Sequence, residues 1–354
     1  MIRKNIEEVI GRFKKLYESD SPYTLIQVRE IGEYERGMER RKLNSWDFDN
    51  ELEKYLDFRA NNQLKYWERR KDLEDDLIPS VSPWYGIAEH TAFLGGAVDF
   101  SDVTSYNHTI IDDIEKIDTL KLDENNVWIK RVAGGIAYYK EKWGDVFYPR
   151  LRGADGPSDI ANIVRGNELF YDVYDYPEET EKLLDFCADA MKFTFTQQKK
   201  ASYEIEGGTI GGFEVWLPGN SAGHISEDAS CMLSKDMYRE LFLPALKKSV
   251  EGYSHVMLHT HSLGAKMLDI FAEIENISTI ELSSDPNAPR AVQVWRDNEK
   301  ILKNKVTVIA PTKDELFSMK DIISRNRSII WYYARTREEA EEAIKFVRDI
   351  NKNR

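Results

Sequence analysis

From Leu77 onward, short apolar segments alternate with longer amphipathic ones, and this alternation constrains the fold more than any other feature of the chain. The short segments have the length of buried strands, and the longer ones repeat apolar residues at helical spacing. Strands that alternate regularly with helices form parallel β-α-β units. The sequence therefore predicts an α/β fold.

The predicted strands are 78–87, 146–152, 209–216, 255–261, 279–283, 305–310 and 328–333, and the predicted helices are 177–198, 234–251, 265–274, 291–303 and 337–351. Three of these helices have clear start signals. Pro177 opens a first turn rich in acids, Ser234 is placed as an N-cap, and Thr336 with Glu339 forms a capping-box pattern.

Two phosphate-binding patterns are missing from the sequence. No Gly-x-Gly-x-x-Gly turn marks a dinucleotide site, and no Gly-x-x-x-x-Gly-Lys-Ser/Thr loop is present. We therefore expect no nucleotide cofactor. We favour closure of the sheet into an eight-stranded (β/α)8 TIM barrel over residues 76–354, rather than a doubly wound sheet.

Residues 1–75 are predicted to be a mostly helical extension packed on the barrel. Apolar residues recur at helical spacing near the amino terminus, and 23–28 has the β-branched and aromatic composition of a strand. The aromatic, charge-dense run 47–76 is interpreted as an amphipathic helical pair that covers the body of the protein.

Charge and cysteine content exclude several classes of protein. Lys and Arg total 49 against 62 Asp and Glu, and the formal net charge of −13 argues against binding to nucleic acid or to an anionic membrane. The cysteines are Cys187 and Cys231, so no disulfide framework is implied. Without an apolar leader or a run of ~20 apolar residues, we expect a soluble, cytoplasmic protein.

The strongest chemical signal is the predicted strand 255–261, because three of the six histidines lie in it. Alternation places Val256 and Leu258 on an outward face and the histidines on the face that points into the barrel. His259 and His261 end the strand, at the rim where active sites of such barrels lie. They could share a metal, act as acid and base, or bind an anion. The alternative is a hydrogen-bonded core role.

The next predicted strand repeats this pattern. Ile280 and Leu282 share the outward face, whereas Glu281 points inward. A carboxylate inside a barrel is costly unless it is paired or binds a metal. Glu281 is therefore a candidate third metal ligand or a base, and a salt bridge is the alternative.

A glycine-punctuated segment, 219–230, is interpreted as a loop at the same rim. It carries His224, Ser226, Glu227 and Asp228, a histidine followed closely by acids. Loops held by rigid strands often carry function. The alternative is that Ser226 and Asp228 only cap a short helix.

Arginines beside glycine-rich turns could clamp a carboxylate or a phosphate. Arg150 and Arg152 precede the turn 153–157, and Arg165 precedes Gly166. For each arginine alone, a structural ion pair is an equally good interpretation.

Taken in order, these segments resemble the uroporphyrinogen decarboxylase superfamily, which contains the haem-pathway decarboxylase and zinc-dependent methyltransferases that act with corrinoid cofactors. The resemblance extends from residue 76 to the carboxyl end. It rests on 79–86, 153–157, 165–166, 176–179, 226–234, Pro244, 259–261 and 328–347.

The resemblance implies a (β/α)8 barrel whose cleft lies at the carboxyl rim. We expect contacts to the substrate from five residues, namely Trp84, Asp155, Arg165 and Ser226 within the matching segments and Arg152 just before one of them. A homodimer is expected from the resemblance alone.

The chain departs from both branches of the superfamily. The methyltransferase branch carries His-x-Cys-Gly on the corresponding strand and a later cysteine, whereas this chain has His261 at that place and no cysteine after Cys231. A site built from His259, His261 and Glu281 would be harder and less thiophilic, yet adequate for zinc or another divalent ion. The decarboxylase branch carries an Arg-Gln-Ala-Gly-Arg segment that this chain lacks.

Three hypotheses follow. The first is methyl transfer on a small or corrinoid-linked substrate, with a divalent metal such as zinc at His259, His261 and Glu281. In this hypothesis His224, Glu227 and Asp228, together with the two histidines, carry the catalysis. The second is a metal-independent lyase acting on a carboxylated tetrapyrrole. The third is a non-catalytic protein that binds a corrinoid or a tetrapyrrole. Polar groups that face inward from separate strands favour an enzyme.

Overall fold

The computed structural model describes residues 2–3, 5–35 and 38–352. Within them the strands are β1 (Tyr23–Ile31), β2 (Ser80–Val81), β3 (Val98–Phe100), β4 (Ser105–Asn107), β5 (Tyr148–Pro149), β6 (Ala154–Asp155), β7 (Gly208–Ile210), β8 (Trp216–Pro218), β9 (Ser221–Ser226), β10 (His255–His261), β11 (Ile277–Ser283), β12 (Val306–Ile309) and β13 (Arg327–Ala334). The helices are α1 (Ile6–Glu18), α2 (Leu52–Arg70), α3 (Val127–Trp143), α4 (Pro157–Arg165), α5 (Leu169–Asp175), α6 (Pro177–Ala201), α7 (Lys235–Met237), α8 (Leu243–Val250), α9 (Leu268–Glu273), α10 (Ala291–Asp297), α11 (Glu299–Leu302), α12 (Lys313–Ser318), α13 (Lys320–Ile323) and α14 (Arg337–Lys352).

A parallel sheet organises the molecule. Over the described residues it has seven strands in the order β1-β13-β12-β11-β10-β9-β6, and each neighbouring pair is parallel. A separate parallel pair joins β2 to β5, whereas β3-β4 and β7-β8 are antiparallel. The predicted α/β class is confirmed. Strand pairing does not close this sheet into the predicted eight-stranded ring.

Strand β1 lies within the predicted amino-terminal extension and confirms the strand expected over 23–28. It pairs along its length with β13, so the first part of the chain contributes to the central sheet. The division of the chain after residue 75 stays a prediction.

Two apolar clusters lie on opposite faces of the sheet, as the two-residue period of a strand requires. Val256 and Leu258 of β10 pack in the larger cluster, which the surrounding helices cover. Met257 belongs to the smaller cluster together with Ile329 of β13 and Phe13 of α1. Helix α1 therefore packs on the face of the sheet opposite to the one that carries Val256 and Leu258.

One predicted strand is interrupted by a turn, and four strands, β3, β4, β6 and β9, were not predicted. Within 209–216, residues 209–210 end β7 and Trp216 begins β8, and the turn 211–215 joins these two antiparallel strands. In this turn Gly211 O accepts the Glu214 N–H, and Glu214 has a left-handed φ of 62°. Conversely, β9 falls within 219–230, where glycines had indicated a loop. Gly223 has a left-handed φ of 85°, which glycine adopts without strain. Strand β9 pairs with β6 and β10 on its two sides.

Two further strands are shorter than predicted. Of 78–87 and 146–152, only the two residues of β2 and the two of β5 pair as strands. Prolines such as Pro83 and Pro149 supply no N–H to a ladder, which limits how far pairing extends.

The predicted helices are present, with interruptions. The Ser234 and Thr336 hydroxyls each accept the backbone N–H three residues later, as their start signals predicted. The helix expected over 234–251 contains a π-turn at Tyr238–Phe242, and the helix expected over 291–303 divides at Asn298. No helix within the described residues combines the length and apolar character needed to traverse a bilayer.

A buried carboxylate fixes β1 against the segment that leads to β2. Asp76 accepts the Ile26 N–H at 2.8 Å and pairs with Arg12 at 2.5 Å and Arg348 at 2.9 Å. Asp76 is fully buried, so its charge depends on these partners. It thereby joins α1, β1 and α14.

We expect Asp76→Ala to lower the free energy of unfolding by about 2–3 kcal/mol. This is less than the ~3–5 kcal/mol for breaking a fully buried pair, because both arginines keep some contact with solvent. Urea denaturation followed by circular dichroism measures the change. The control is Asp99→Ala, which removes an exposed pair with His108 and should leave stability nearly unchanged. Equal midpoints for the two variants would contradict the assignment.

Candidate functional site

A cavity of about 550 Å³ lies at the carboxyl ends of β6, β9 and β10. Asp155 and Ser226 end β6 and β9, His259 lies two residues before the end of β10, and all three line the cavity. Their backbones are in register, Asp155 opposite Ser226 and Ser226 opposite His259. Side chains of residues that are aligned on neighbouring strands point to the same side of the sheet. The register of the sheet therefore places these three side chains together at the cavity.

Three potential ligand atoms converge at this end of β10. The Nε2 atoms of His259 and His261 are 3.1 Å apart, and Asp228 Oδ2 lies 3.8 Å from the first and 3.7 Å from the second. Asp228 reaches this place from the short 3-10 turn that follows β9. Thus β10 and the turn that follows the neighbouring strand β9 supply the three groups.

A carboxylate stands behind each imidazole. Glu281 of β11, opposite His259 in the ladder, hydrogen-bonds His259 Nδ1, and Asp285 Oδ1 lies 2.8 Å from His261 Nδ1. Both rings are therefore oriented through Nδ1, leaving Nε2 toward Asp228. Burial alone would lower the pKa of His259, but the Glu281 hydrogen bond and charge raise it above its ordinary value.

The donor set fits a divalent metal. All three ligand atoms lie within 4.8 Å of one another, and Asp228 Oδ1 is buried with no hydrogen-bond partner among the described residues. Two histidines oriented by carboxylates plus an aspartate suit zinc or a similar ion. Glu281 contacts the ring nitrogen opposite to the convergence, which places it behind His259 rather than at the shared point.

His224 lies on β9 beside these groups, and its ring is held on three sides. Phe213 stacks on it with centroids 3.9 Å apart, and a Cβ added at Gly153 or Gly212 would come within 3 Å of it. Its Nδ1 is buried and has no hydrogen-bond partner among the described residues. Burial, followed by the charge of His90, lowers the pKa of His224 well below its usual value.

Arg152 lines the cavity but is already neutralised. Its guanidinium pairs with the buried Glu89 and stacks 4.6 Å from the Trp84 ring, which also lines the cavity. A substrate carboxylate would have to compete with Glu89 for this arginine. The expected role of Arg152 and Trp84 in contacting substrate stays a prediction.

Glu227 is turned away from the cavity lining. It is fully buried and accepts hydrogen bonds from Ser158 Oγ at 2.7 Å and Tyr238 OH at 2.5 Å. Burial raises its pKa to about 7. These contacts fix the start of α4 against the π-turn, so the geometry places Glu227 in the wall behind the site.

Arg165 also lies outside the cavity lining. It pairs with Asp172 at 2.6 Å and donates to the Asp112 carbonyl, which satisfies its guanidinium within the protein. Of the two interpretations of Arg165 that the sequence left open, the structure contains the ion pair, here with Asp172.

The structure thus gathers most of the predicted side chains at one cavity, namely Trp84, Arg152, Asp155, His224, Ser226, Asp228, His259 and His261. Sequence reasoning missed His90, Asp159 and Phe213, which also line it. Asp159 accepts the Asp228 and Ala229 N–H groups. Its signal was available, because an acid in the first turn of α4 follows the Gly156-Pro157 helix start.

Comparisons with known proteins bear on the fold. No protein-family profile matches the chain, and no curated protein matches its sequence. A solved structure described as a methyltransferase from Methanosarcina mazei matches with a TM-score of 0.65 at 15% sequence identity. The match covers 96% of this chain and 98% of that chain. The two proteins share their fold over nearly their whole lengths.

We expect Gly153→Ala to disturb the site by pushing against the His224 ring. The added Cβ would lie 2.0 Å from the His224 ring, which Phe213 holds on its other face. Overpacking of this kind should lower the free energy of unfolding by about 1–3 kcal/mol, which urea denaturation would measure. Crystallography of the variant should show His224 displaced.

Gly134→Ala is the matched control. Gly134 lies on the exposed face of α3, and a Cβ there meets nothing within 4 Å. Replacing glycine by alanine inside a helix stabilises by roughly 0.5–1 kcal/mol. If both variants gained stability, the close packing around His224 would be refuted.

Proposed function

We propose that this protein is an enzyme that transfers a methyl group, with a divalent metal bound by Asp228, His259 and His261. The observation that carries the proposal is the convergence of three ligand atoms in a cavity at the carboxyl ends of parallel strands. The fold shared with a methyltransferase supports the reaction class. In this proposal the third metal ligand is Asp228 rather than the expected Glu281, and Glu281 positions His259.

We also propose that the strands belong to one (β/α)8 barrel. The Asp76 N–H donates to Ile26 O of β1, which brings the segment before β2 beside β1. Tyr148 and Arg150 donate to the carbonyls of Pro79 and Val81, and β5 runs on into β6. Counting β5 and β6 as one interrupted strand gives eight members around the ring.

The residues of the site have separable tasks. A bound divalent ion would act as a Lewis acid that lowers the pKa of the methyl acceptor. Glu281 and Asp285 orient the two imidazoles. Phe213, stacked on His224 and 5.5 Å from the His259 ring, keeps water from that side of the site.

The lining favours a substrate that is not a polyanion. Asp155, Asp159 and Asp228 are acidic, and Arg152 is neutralised by Glu89. A tetrapyrrole with several carboxylates would meet acids without free basic partners. This opposes the decarboxylase hypothesis, which needs cationic groups for those carboxylates.

A cavity of about 550 Å³ is of a size for a small molecule. We propose that the methyl acceptor binds inside it and that a methylated corrinoid, the donor suggested by the superfamily resemblance, approaches at the open mouth. A methylated corrinoid would supply the methyl group as an electrophilic carbon, and the residues of the site would hold the acceptor and take up its proton.

Purified protein should contain about one divalent metal per chain. His259→Ala, His261→Ala and Asp228→Ala should each lower metal content severalfold, as measured by elemental analysis after dialysis. The control is His255→Ala, on the same strand but packed against Tyr17, which should keep the metal. Protein that stays metal-free when zinc, cobalt and manganese are supplied would overturn the metal site.

Methyl transfer should be visible in the absorption spectrum of methylcobalamin incubated with the protein and a panel of thiols, alcohols and phenols. We expect loss of the methylcobalamin spectrum together with a methylated acceptor, detected by mass spectrometry. His259→Ala should lower the rate by at least ~100-fold, and His255→Ala should match wild type. Decarboxylation of uroporphyrinogen, or corrinoid binding without turnover, would replace this proposal by one of the other two hypotheses.

A further inference from the structure

His90 and Asp155 form a histidine–carboxylate pair that lines the same cavity and is not part of the cluster of three ligand atoms. His90 Nδ1 lies 3.0 Å from Asp155 Oδ1, and both side chains line the cavity. The His90 side chain is only 10% exposed. Its Nε2 is buried and has no hydrogen-bond partner among the described residues. A buried ring nitrogen left open beside a cavity calls for a ligand.

The turn that carries His90 is held rigidly. His90 ends the 3-10 turn Ile87–His90, and the preceding Glu89 accepts the Tyr85 N–H at 2.6 Å while pairing with Arg152. Asp155 is equally fixed, because it ends β6 opposite Ser226. The relative placement of ring and carboxylate is therefore set by backbone structure.

This geometry determines which ring nitrogen is basic. A carboxylate beside Nδ1 accepts a hydrogen there, so the neutral ring keeps its lone pair on Nε2. The same carboxylate stabilises the imidazolium that forms when Nε2 takes a proton. The pair is thus prepared to accept a proton from a molecule in the cavity.

The other histidines at the cavity are committed elsewhere. His259 and His261 each use Nδ1 on a carboxylate and direct Nε2 at the shared ligand point. His224 is stacked under Phe213, 6.4 Å from the His90 ring between centroids, with no carboxylate bonded to it among the described residues. Among the described histidines that line the cavity, only His90 combines an orienting carboxylate with an unpaired ring nitrogen outside the cluster of ligand atoms.

We propose that His90 is the general base of the reaction, that Asp155 positions it, and that the methyl acceptor is a protic nucleophile such as a thiol or a hydroxyl compound. The inference rests on the proposed methyl transfer. The acceptor X–H gives its proton to His90 Nε2 as its lone pair bonds to the methyl carbon, and the bond from that carbon to the donor breaks with both electrons on the donor. The proton then passes from His90 to solvent.

The test compares His90→Gln with His108→Gln. His108 is the matched control because it also pairs with an aspartate, Asp99 at 2.8 Å, but on the exposed β3-β4 hairpin. We expect His90→Gln to lower kcat for methyl transfer by at least ~100-fold, within the range for a general base. The KM for the methyl acceptor and the metal content should be unchanged. His108→Gln should behave as wild type.

Two further variants separate a base from a structural residue. Added imidazole should restore part of kcat to His90→Gly, because the vacated site accepts a free base. Asp155→Asn should lower kcat without loss of metal, and Asp155→Glu should recover part of the activity. Wild-type kcat in His90→Gln, or no rescue by imidazole in a folded His90→Gly, would overturn the proposal.

The ring itself provides a readout that needs no turnover. Nitrogen-15 NMR of histidine-labelled protein, assigned with His90→Gln, should show that the neutral His90 ring carries its hydrogen on Nδ1 rather than on Nε2. The Asp155→Asn variant should lose that preference. The opposite tautomer in wild type would refute the role of His90 as a base, and this result does not require a known methyl acceptor. The expected tautomer without any methyl transfer would overturn the proposed reaction but leave the proton-accepting pair in place.

Discussion

The parallel register of β6, β9, β10 and β11 is the constraint on which the site depends. It sets Asp155, Ser226, His259 and Glu281 opposite one another in a single row across four strands. A slip of one residue in any of these strands would turn its member of the row to the helix-covered face. Apolar residues that alternate with these polar ones along each strand, such as Leu258 beside His259, prevent that slip because their side chains pack in the helix-covered core.

Buried charge is handled by pairing throughout the structure. Asp76 is matched by two arginines, Arg152 by Glu89, and the imidazoles of the site by carboxylates of the next strand and loop. Such pairs add little net stability compared with apolar packing, but they hold geometry because any other arrangement leaves a charge unpaired. The site therefore inherits its order from contacts that lie behind it.

Local pattern predicted β10 and its two faces correctly, because alternation within one strand needs no knowledge of neighbours. It misjudged β9, where glycines suggested a loop, since the pairing that makes a strand of Ser221–Ser226 comes from β6 and β10. It also missed His90, whose significance depends on Asp155, a residue 65 positions away in sequence. Contacts of that separation leave no periodic signal in a single chain.

The sequence by itself determined the α/β class, the acidic character, and the concentration of histidines at the end of one strand, since each follows from composition or from short-range periodicity. The tertiary structure alone decided that Asp228 rather than Glu281 meets the two Nε2 atoms, and that Glu227 and Arg165 face other protein groups. The reason is physical. Which atoms of a side chain are free depends on partners brought from distant segments, and folding favours the arrangement that leaves few buried polar groups without a partner.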